Sequence, residues 1–154
     1  PSSPARLGKK VHPLEVLTEE GTMTSQESFR GQWRLITFWA SWCEPCKREL
    51  PTLERLARHR TLTKLKVLSV CVEKSWTGVK KYLTTHPWLK KQRFLTMKLF
   101  LDQKSTNSFR YGTSKFPETY LIDPKGRLRY KWTGPYTFDS PRLITQIKGL
   151  MSSF

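Results

Sequence analysis

The stretch that decides the fold reads Leu35-Ile36-Thr37-Phe38-Trp39-Ala40, followed at once by Ser41-Trp42-Cys43-Glu44-Pro45-Cys46. The first six residues are nearly all apolar or β-branched, which is typical of a strand buried on both faces of a sheet. After the second cysteine, apolar residues recur three or four positions apart up to about His59, which predicts an amphipathic helix. The sequence therefore predicts a central strand that runs into a cysteine pair and then a helix.

The cysteine pair lies where this helix is expected to begin. The unpaired N–H groups and the positive end of the helix dipole stabilise a thiolate on Cys43, which makes Cys43 a nucleophile toward disulfides. Cys46 follows one turn later, so it can attack the mixed disulfide on Cys43 and release the product. Pro45 keeps the turn rigid, and Lys47 adds positive charge. The pattern indicates thiol–disulfide exchange.

Two other interpretations of the pair are a zinc half-site and an inert pair. A structural zinc site needs four ligands. The chain offers only one further cysteine and three scattered histidines, which are His12, His59 and His86. No second pair matches the first, so we expect neither a metal nor another cofactor. The third cysteine, Cys71, lies in a predicted strand, where a small buried apolar role is expected.

The rest of the chain alternates predicted strands with predicted helices. In chain order these are a small hairpin with a helical turn (11–29), a strand (66–72), a helix (76–84), a short strand (99–101), a hairpin (118–132) and a C-terminal helix capped by Ser140. This alternation predicts a parallel sheet covered by helices, with an antiparallel edge. Pro51 lacks an N–H, so a kink is expected in the first long helix. Residues 1–10 are expected to be a flexible tether, and residues 11–154 one domain.

Composition limits the classes of protein. With 154 residues, of which 37% are hydrophobic, the chain can form one domain with a real core. No apolar run approaches the roughly 20 residues of a membrane span. The formal net charge of +16 would attract nucleic acid, anionic membranes or acidic proteins. The basic stretch 89–98 and its aromatic neighbours are typical either of a polyanion groove or of a solvated face. Because the chain starts at Pro1 rather than Met, we expect that an N-terminal segment, such as a signal peptide or an anchor, has been removed.

Two motifs resemble the TlpA, ResA and CcmG group of thioredoxin-like proteins. The stretch from Phe38 to Pro51 is similar to the active-site segment of that group, and its Cys-Glu-Pro-Cys form is most similar to ResA. Tyr111-Gly112 and the later run Phe116-Pro117-Glu118-Thr119-Tyr120-Leu121-Ile122-Asp123 resemble the group's cis-proline loop and the strand after it. The resemblance implies an α/β fold, namely a thioredoxin-like three-layer sandwich whose central mixed β-sheet is flanked by helices, with an N-terminal extension.

The resemblance also implies roles for individual residues. Cys43 would be the exposed attacking cysteine, and Cys46 the buried resolving one. Pro117 would be the cis-proline, and Phe116 would offer its backbone to an extended substrate segment. Three residues around the pair complete the expected substrate-binding set: Trp42, Glu44 and Pro45.

A carboxylate that handles protons is also expected near the pair. Thioredoxin itself has a buried aspartate in the strand before its active site, and Thr37 occupies that place here. The ResA group instead uses a glutamate just after the following strand. Glu73 is the nearest candidate and is the expected third catalytic residue, with an exposed loop acid as the alternative.

The function that the resemblance implies is reduction of protein disulfides in the periplasm or another extracytoplasmic space. The expected partners are oxidised protein thiols, such as those of apocytochrome c, and a membrane thiol–disulfide electron donor. The protein would be a monomer, either secreted or anchored to the membrane through the missing N-terminal segment, and nucleic acid is not an expected partner. The alternatives are a dithiol oxidant or isomerase, and a binding module that uses its basic surface to hold polyanions.

Overall fold

The computed structural model describes residues 4–153. In chain order its elements are β1 (Glu15–Leu17), β2 (Met23–Ser25), β3 (Trp33–Trp39), α1 (Glu44–Ala57), β4 (Leu65–Cys71), α2 (Thr77–Thr85), β5 (Lys98–Leu101), α3 (Thr106–Tyr111), β6 (Glu118–Ile122), β7 (Leu128–Thr133) and α4 (Pro141–Ser152). Short 3-10 turns cover Gln26–Phe29 and Leu89–Lys91. The predicted elements are present, and α3 is an additional helix that the sequence did not predict.

The strands form one mixed sheet in the order β2-β1-β5-β4-β3-β6-β7. Strand β3 runs parallel to β4, β4 runs parallel to β5, and the pairs β3–β6 and β6–β7 are antiparallel. All seven residues of β3 are buried. Its side chains alternate between two cores, because Leu35 and Trp39 pack with α1 on one face while Ile36 and Phe38 pack on the other. The predicted mixed sheet flanked by helices is confirmed.

Residues 4–10, which were expected to be a tether, contact the domain. Leu7 forms a parallel bridge with Leu128, and Lys10 forms an antiparallel bridge with Arg127. Contacts with the domain therefore begin before the boundary expected at residue 10, because the start of β7 offers backbone groups with which this segment can pair. The first three residues of the expected tether lie outside the described residues.

Helix α1 continues through Pro51. A proline at this position cannot donate to the carbonyl oxygen four residues earlier, which belongs to Lys47. The hydroxyl of Tyr82, on α2, donates to that oxygen instead. A neighbouring helix thus satisfies the acceptor that the proline leaves without its helical donor.

The basic segment 86–98 is fastened to α1 by one buried acid. The carboxylate of Glu54 accepts hydrogen bonds of 2.9 Å from the N–H groups of Thr96 and Met97. Arg58 forms an ion pair with the same carboxylate. The segment is therefore an ordered part of the domain, although it lacks a long regular element.

Candidate active site

Cys43 and Cys46 form a disulfide at the start of α1. Cys43 is the N-cap residue with an extended backbone, and the N–H of Cys46 points at its Sγ over 3.4 Å. Pro45 lies in the first helical turn, where a missing N–H removes no helical bond. The helix start thus places a donor and the positive end of its dipole on the sulfur that would carry the thiolate.

The two sulfurs differ in accessibility. Cys43 is 8% exposed and Cys46 is 1% exposed, so the difference has the expected direction although Cys43 itself is largely covered. Part of the cover is the loop after α3, whose Phe116 carbonyl oxygen lies 3.7 Å from Cys43 Sγ. The peptide bond between Phe116 and Pro117 is cis. Trp42 is 69% exposed and packs edge-on against the Phe116 ring, so exposed aromatic surface lies beside the pair.

Two opposite charges next to the cysteine pair, those of Glu44 and Lys47, offset each other. Lys47 Nζ lies 2.7 Å from the carboxylate of Glu44. This hydrogen bond and the charge of Lys47 lower the pKa of Glu44, so the carboxyl is ionised at neutral pH. The positive charge that Lys47 contributes near Cys43 is therefore accompanied by a negative one.

Glu73 binds the loop that carries the pair. Its two carboxylate oxygens accept hydrogen bonds from the hydroxyl and the N–H of Ser41, over 2.6 and 2.8 Å. The thiol of Cys71 donates to the same carboxylate over 2.8 Å. A Cβ atom on Gly78 would clash with the Ser41 hydroxyl, so a larger residue at that point of α2 would have to displace the hydroxyl. These contacts hold the active-site loop against the end of β4, and a role for Glu73 in proton transfer stays a prediction.

Cys71 takes no part in the disulfide. Burial, together with the neighbouring carboxylate of Glu73, raises the pKa of its thiol far above the ordinary value. A thiol that stays protonated is a poor nucleophile. The structure thus places Cys71 in the buried position that its strand predicted.

Glu49 is a buried acid that the sequence analysis did not single out. It lies one helical turn after Cys46 and is 3% exposed. Its carboxylate accepts a hydrogen bond of 2.8 Å from the N–H of Tyr136 and a longer one from Thr37. Burial dominates and raises the pKa of Glu49 to about 8. One signal was available, since Glu49 shares the helix stripe of Cys46 and Leu53.

Neither a metal site nor a membrane-crossing helix is found within residues 4–153. In that range no three His, Cys, Asp or Glu side chains gather as metal ligands would. No helix there has the length and apolar character needed to cross a membrane.

The chain is similar in sequence and structure to known thiol–disulfide oxidoreductases. The model of the AhpC/TSA family matches residues 7–131. The chain is 30% identical to the thioredoxin-like protein YneN of Bacillus subtilis over 133 residues, which cover 84% of this chain and 73% of YneN. It is 30% identical to the thiol–disulfide oxidoreductase ResA of Geobacillus kaustophilus over 139 residues, 88% of this chain and 75% of ResA. The crystal structure of StoA from Bacillus subtilis superimposes with a TM-score of 0.68 at 26% identity, covering 97% of this chain and 98% of StoA. The chain therefore belongs to the AhpC/TSA family, as a thioredoxin-like thiol–disulfide oxidoreductase whose redox pair is Cys43 and Cys46.

Proposed function

We propose that this oxidoreductase works as a reductase of protein disulfides outside the cytoplasm, in cytochrome c maturation. The observation that carries the direction of electron flow is the ion pair between Glu44 and Lys47 beside Cys43. A strongly stabilised thiolate favours the reduced form and makes an oxidant. Here the thiolate gains the helix start, while Lys47 is paired with Glu44, so its stabilisation is modest. A modestly stabilised thiolate supports a reducing dithiol.

The reaction begins with the reduced pair. The thiolate of Cys43 attacks one sulfur of the substrate disulfide, and the other substrate sulfur leaves as a thiolate that takes up a proton. Cys46 then loses its proton and attacks Cys43 Sγ, which releases the second substrate thiolate. The substrate gains two electrons and two protons, and the pair becomes the disulfide seen here.

Glu49 is a candidate for exchanging the proton of Cys46. It lies one turn further along the same helix, in a buried position. A carboxyl with a pKa of about 8 can both accept and donate a proton near neutral pH. We therefore assign proton transfer to Glu49 in this proposal and keep Glu73 as the residue that holds the active-site loop.

The substrate would dock along the loop that carries Phe116 and Pro117. The carbonyl oxygen of Phe116 lies beside Cys43 Sγ and can accept a hydrogen bond from an extended segment. Trp42 offers exposed aromatic surface next to it. The resemblance to the ResA group favours an oxidised haem-attachment segment of apocytochrome c as the substrate. The electron donor would be a membrane thiol–disulfide protein, and we expect the oxidoreductase to act as a monomer.

The experiment mixes the reduced protein with an oxidised peptide that carries a Cys-x-x-Cys-His motif. Mass spectrometry after acid quenching should find the peptide reduced and the protein oxidised. A matched Cys43→Ser variant should leave the peptide oxidised. If the oxidised protein instead converts the reduced peptide to its disulfide, the protein is a dithiol oxidant, which is the second candidate function.

A further inference from the structure

Cations cluster at the end of the sheet that lies away from the disulfide. Residues 7–10 run beside the start of β7, where the bridges of Leu7 with Leu128 and of Lys10 with Arg127 hold them. We call the basic pole the surface formed by the following residues: Leu7, Lys9, Lys10, Lys125, Arg127 and Arg129. All of them are exposed except Arg129, which is half-buried.

Two clefts open on the basic pole. The larger has a volume of about 570 Å³ and is lined by Lys10, Lys125 and Arg127 together with the buried Arg34. The smaller, of about 390 Å³, shares Lys125 and Arg127 with it and adds Arg129. An anion that enters either cleft therefore meets several cations of the basic pole.

The acidic residue at the basic pole, Asp123, is already bound by neighbouring groups of the protein. Among the described residues that line the two clefts, Asp123 is the one acid, and it is 1% exposed. Its Oδ1 accepts hydrogen bonds from the N–H groups of Lys125 and Arg127. Its Oδ2 lies 3.7 Å from the guanidinium of Arg129. The buried carboxylate therefore fixes the turn of the basic pole and offsets only part of its charge.

Leu7, the one apolar residue of the basic pole, favours a lipid surface over nucleic acid as the ligand. Leu7 is 65% exposed, and its backbone pairs with Leu128, which stands between Arg127 and Arg129 in the chain. An apolar side chain surrounded by lysines and arginines matches the boundary between lipid headgroups and acyl chains. Single-stranded nucleic acid instead requires aromatic side chains for base stacking. The described residues that line the two clefts include no aromatic one.

We propose that the basic pole is a docking surface for an anionic phospholipid membrane. This inference goes beyond the proposed function and does not depend on it. The strand β3 starts at the basic pole, where Arg34 donates to the carbonyl oxygen of Asp123, and ends beside the cysteine pair. Seven residues at about 3.3 Å each separate the two ends by roughly 20 Å. A protein docked through the basic pole therefore presents its disulfide away from the lipid.

The test is co-sedimentation of the full chain with vesicles of phosphatidylcholine alone and of phosphatidylcholine mixed with phosphatidylglycerol. We expect binding to the mixed vesicles only, weakening as salt is added. The triple variant Lys9→Glu, Lys10→Glu, Arg127→Glu should bind at least about tenfold more weakly. The matched control changes the charge equally at Lys80, Lys81 and Lys90, which are exposed and outside the basic pole, and it should keep most of the binding.

Two further measurements keep the test decisive. Leu7→Ser removes apolar contact without changing charge, so it should weaken vesicle binding and leave binding to heparin unchanged. The rate at which each variant catalyses the reduction of insulin by dithiothreitol reports whether the variant is folded. All variants should keep this rate, because the disulfide lies at the other end of the sheet. If the triple glutamate variant does not fold, the corresponding glutamine variant replaces it. The proposal would be overturned if the control variant lost as much vesicle binding as the triple variant. It would also be overturned if a DNA oligonucleotide displaced the protein from vesicles while Leu7→Ser had no effect.

Discussion

The hydroxyl of Tyr82 donates a hydrogen bond to the carbonyl oxygen of Lys47, the acceptor that Pro51 leaves without its helical donor. A phenylalanine at position 82 keeps the ring and removes the donor. Because the carbonyl group would then be left unsatisfied, Tyr82→Phe should reduce the free energy of unfolding by about 1–2 kcal/mol. Urea denaturation of the oxidised protein measures this change.

A double-mutant cycle identifies the cause of that loss. Pro51→Ala restores the backbone N–H at position 51, which can donate to Lys47 within the helix. Tyr82→Phe should therefore reduce the free energy of unfolding by less in the Pro51→Ala background than in the natural sequence. Equal costs in both backgrounds would mean that Tyr82 stabilises α1 through ring packing alone.

Glu49 should control how activity depends on pH. Its pKa of about 8 places the change of protonation within the working range of a thiol enzyme. Glu49→Gln keeps the size and the hydrogen-bond acceptor for Tyr136 but cannot transfer a proton. We expect the rate of peptide reduction to fall about 10- to 100-fold and its pH dependence near pH 8 to disappear. Glu73→Gln is the matched control, which should retain that pH dependence.

The same carboxyl should make stability depend on pH in a defined direction. Burial raises the pKa of Glu49 from 4.5 to about 8 on folding, so the folded protein binds a proton that the unfolded chain has released. Stability attributable to Glu49 is therefore complete below pH 4.5 and is lost as the pH rises toward about 8, at up to about 1.4 kcal/mol per pH unit. Unfolding of the oxidised Glu49→Gln variant should lack this component. An unchanged pH dependence in that variant would assign the titration to another group.

Glu49 also illustrates what sequence patterns leave out. Strand β3 was predictable because every residue in it is buried, so the local pattern and the final environment agree. Glu49 shares the helix stripe of Cys46 and Leu53, but that stripe alone does not distinguish a buried acid from one at the solvated edge of the helix. Its shorter hydrogen bond comes from the N–H of Tyr136, 87 residues away in the chain. Tertiary contacts of this kind decide the protonation of a side chain, whereas periodicity predicts only its face.

The missed helix α3 has a similar explanation. It contains six residues, too few for an apolar period to be read with assurance. Its start is fixed by Asp102, whose carboxylate accepts hydrogen bonds from the N–H groups of Asn107 and Ser108. That aspartate precedes the helix by several residues, outside the usual N-cap position. The loop that carries the active-site proline was recognised by its motif, while the helix before it was not.

Replacing one cysteine at a time should separate attack from resolution. In Cys46→Ser, Cys43 can still attack a substrate disulfide, but no thiol remains to release the adduct. We expect a stable mixed disulfide with an oxidised Cys-x-x-Cys-His peptide, visible by non-reducing electrophoresis and mapped to Cys43 by mass spectrometry. Cys43→Ser should trap little, because Cys46 is 1% exposed. Adducts that map to Cys71 would contradict the assignment of the nucleophile.

The ion pair of Glu44 with Lys47 should set the reduction potential. With Lys47 paired and no histidine between the cysteines, the Cys43 thiolate is only modestly stabilised, so we expect a potential below about −200 mV. Glu44→Gln removes the negative charge and leaves Lys47 free to stabilise the thiolate. This change stabilises the thiolate of the reduced form, so the reduction potential should rise by roughly 10 mV. Equilibration with glutathione measures both values, and Lys47→Gln should shift the potential in the opposite direction. A potential near about −120 mV for the natural sequence, the range of strong disulfide donors, would reverse the proposed electron flow.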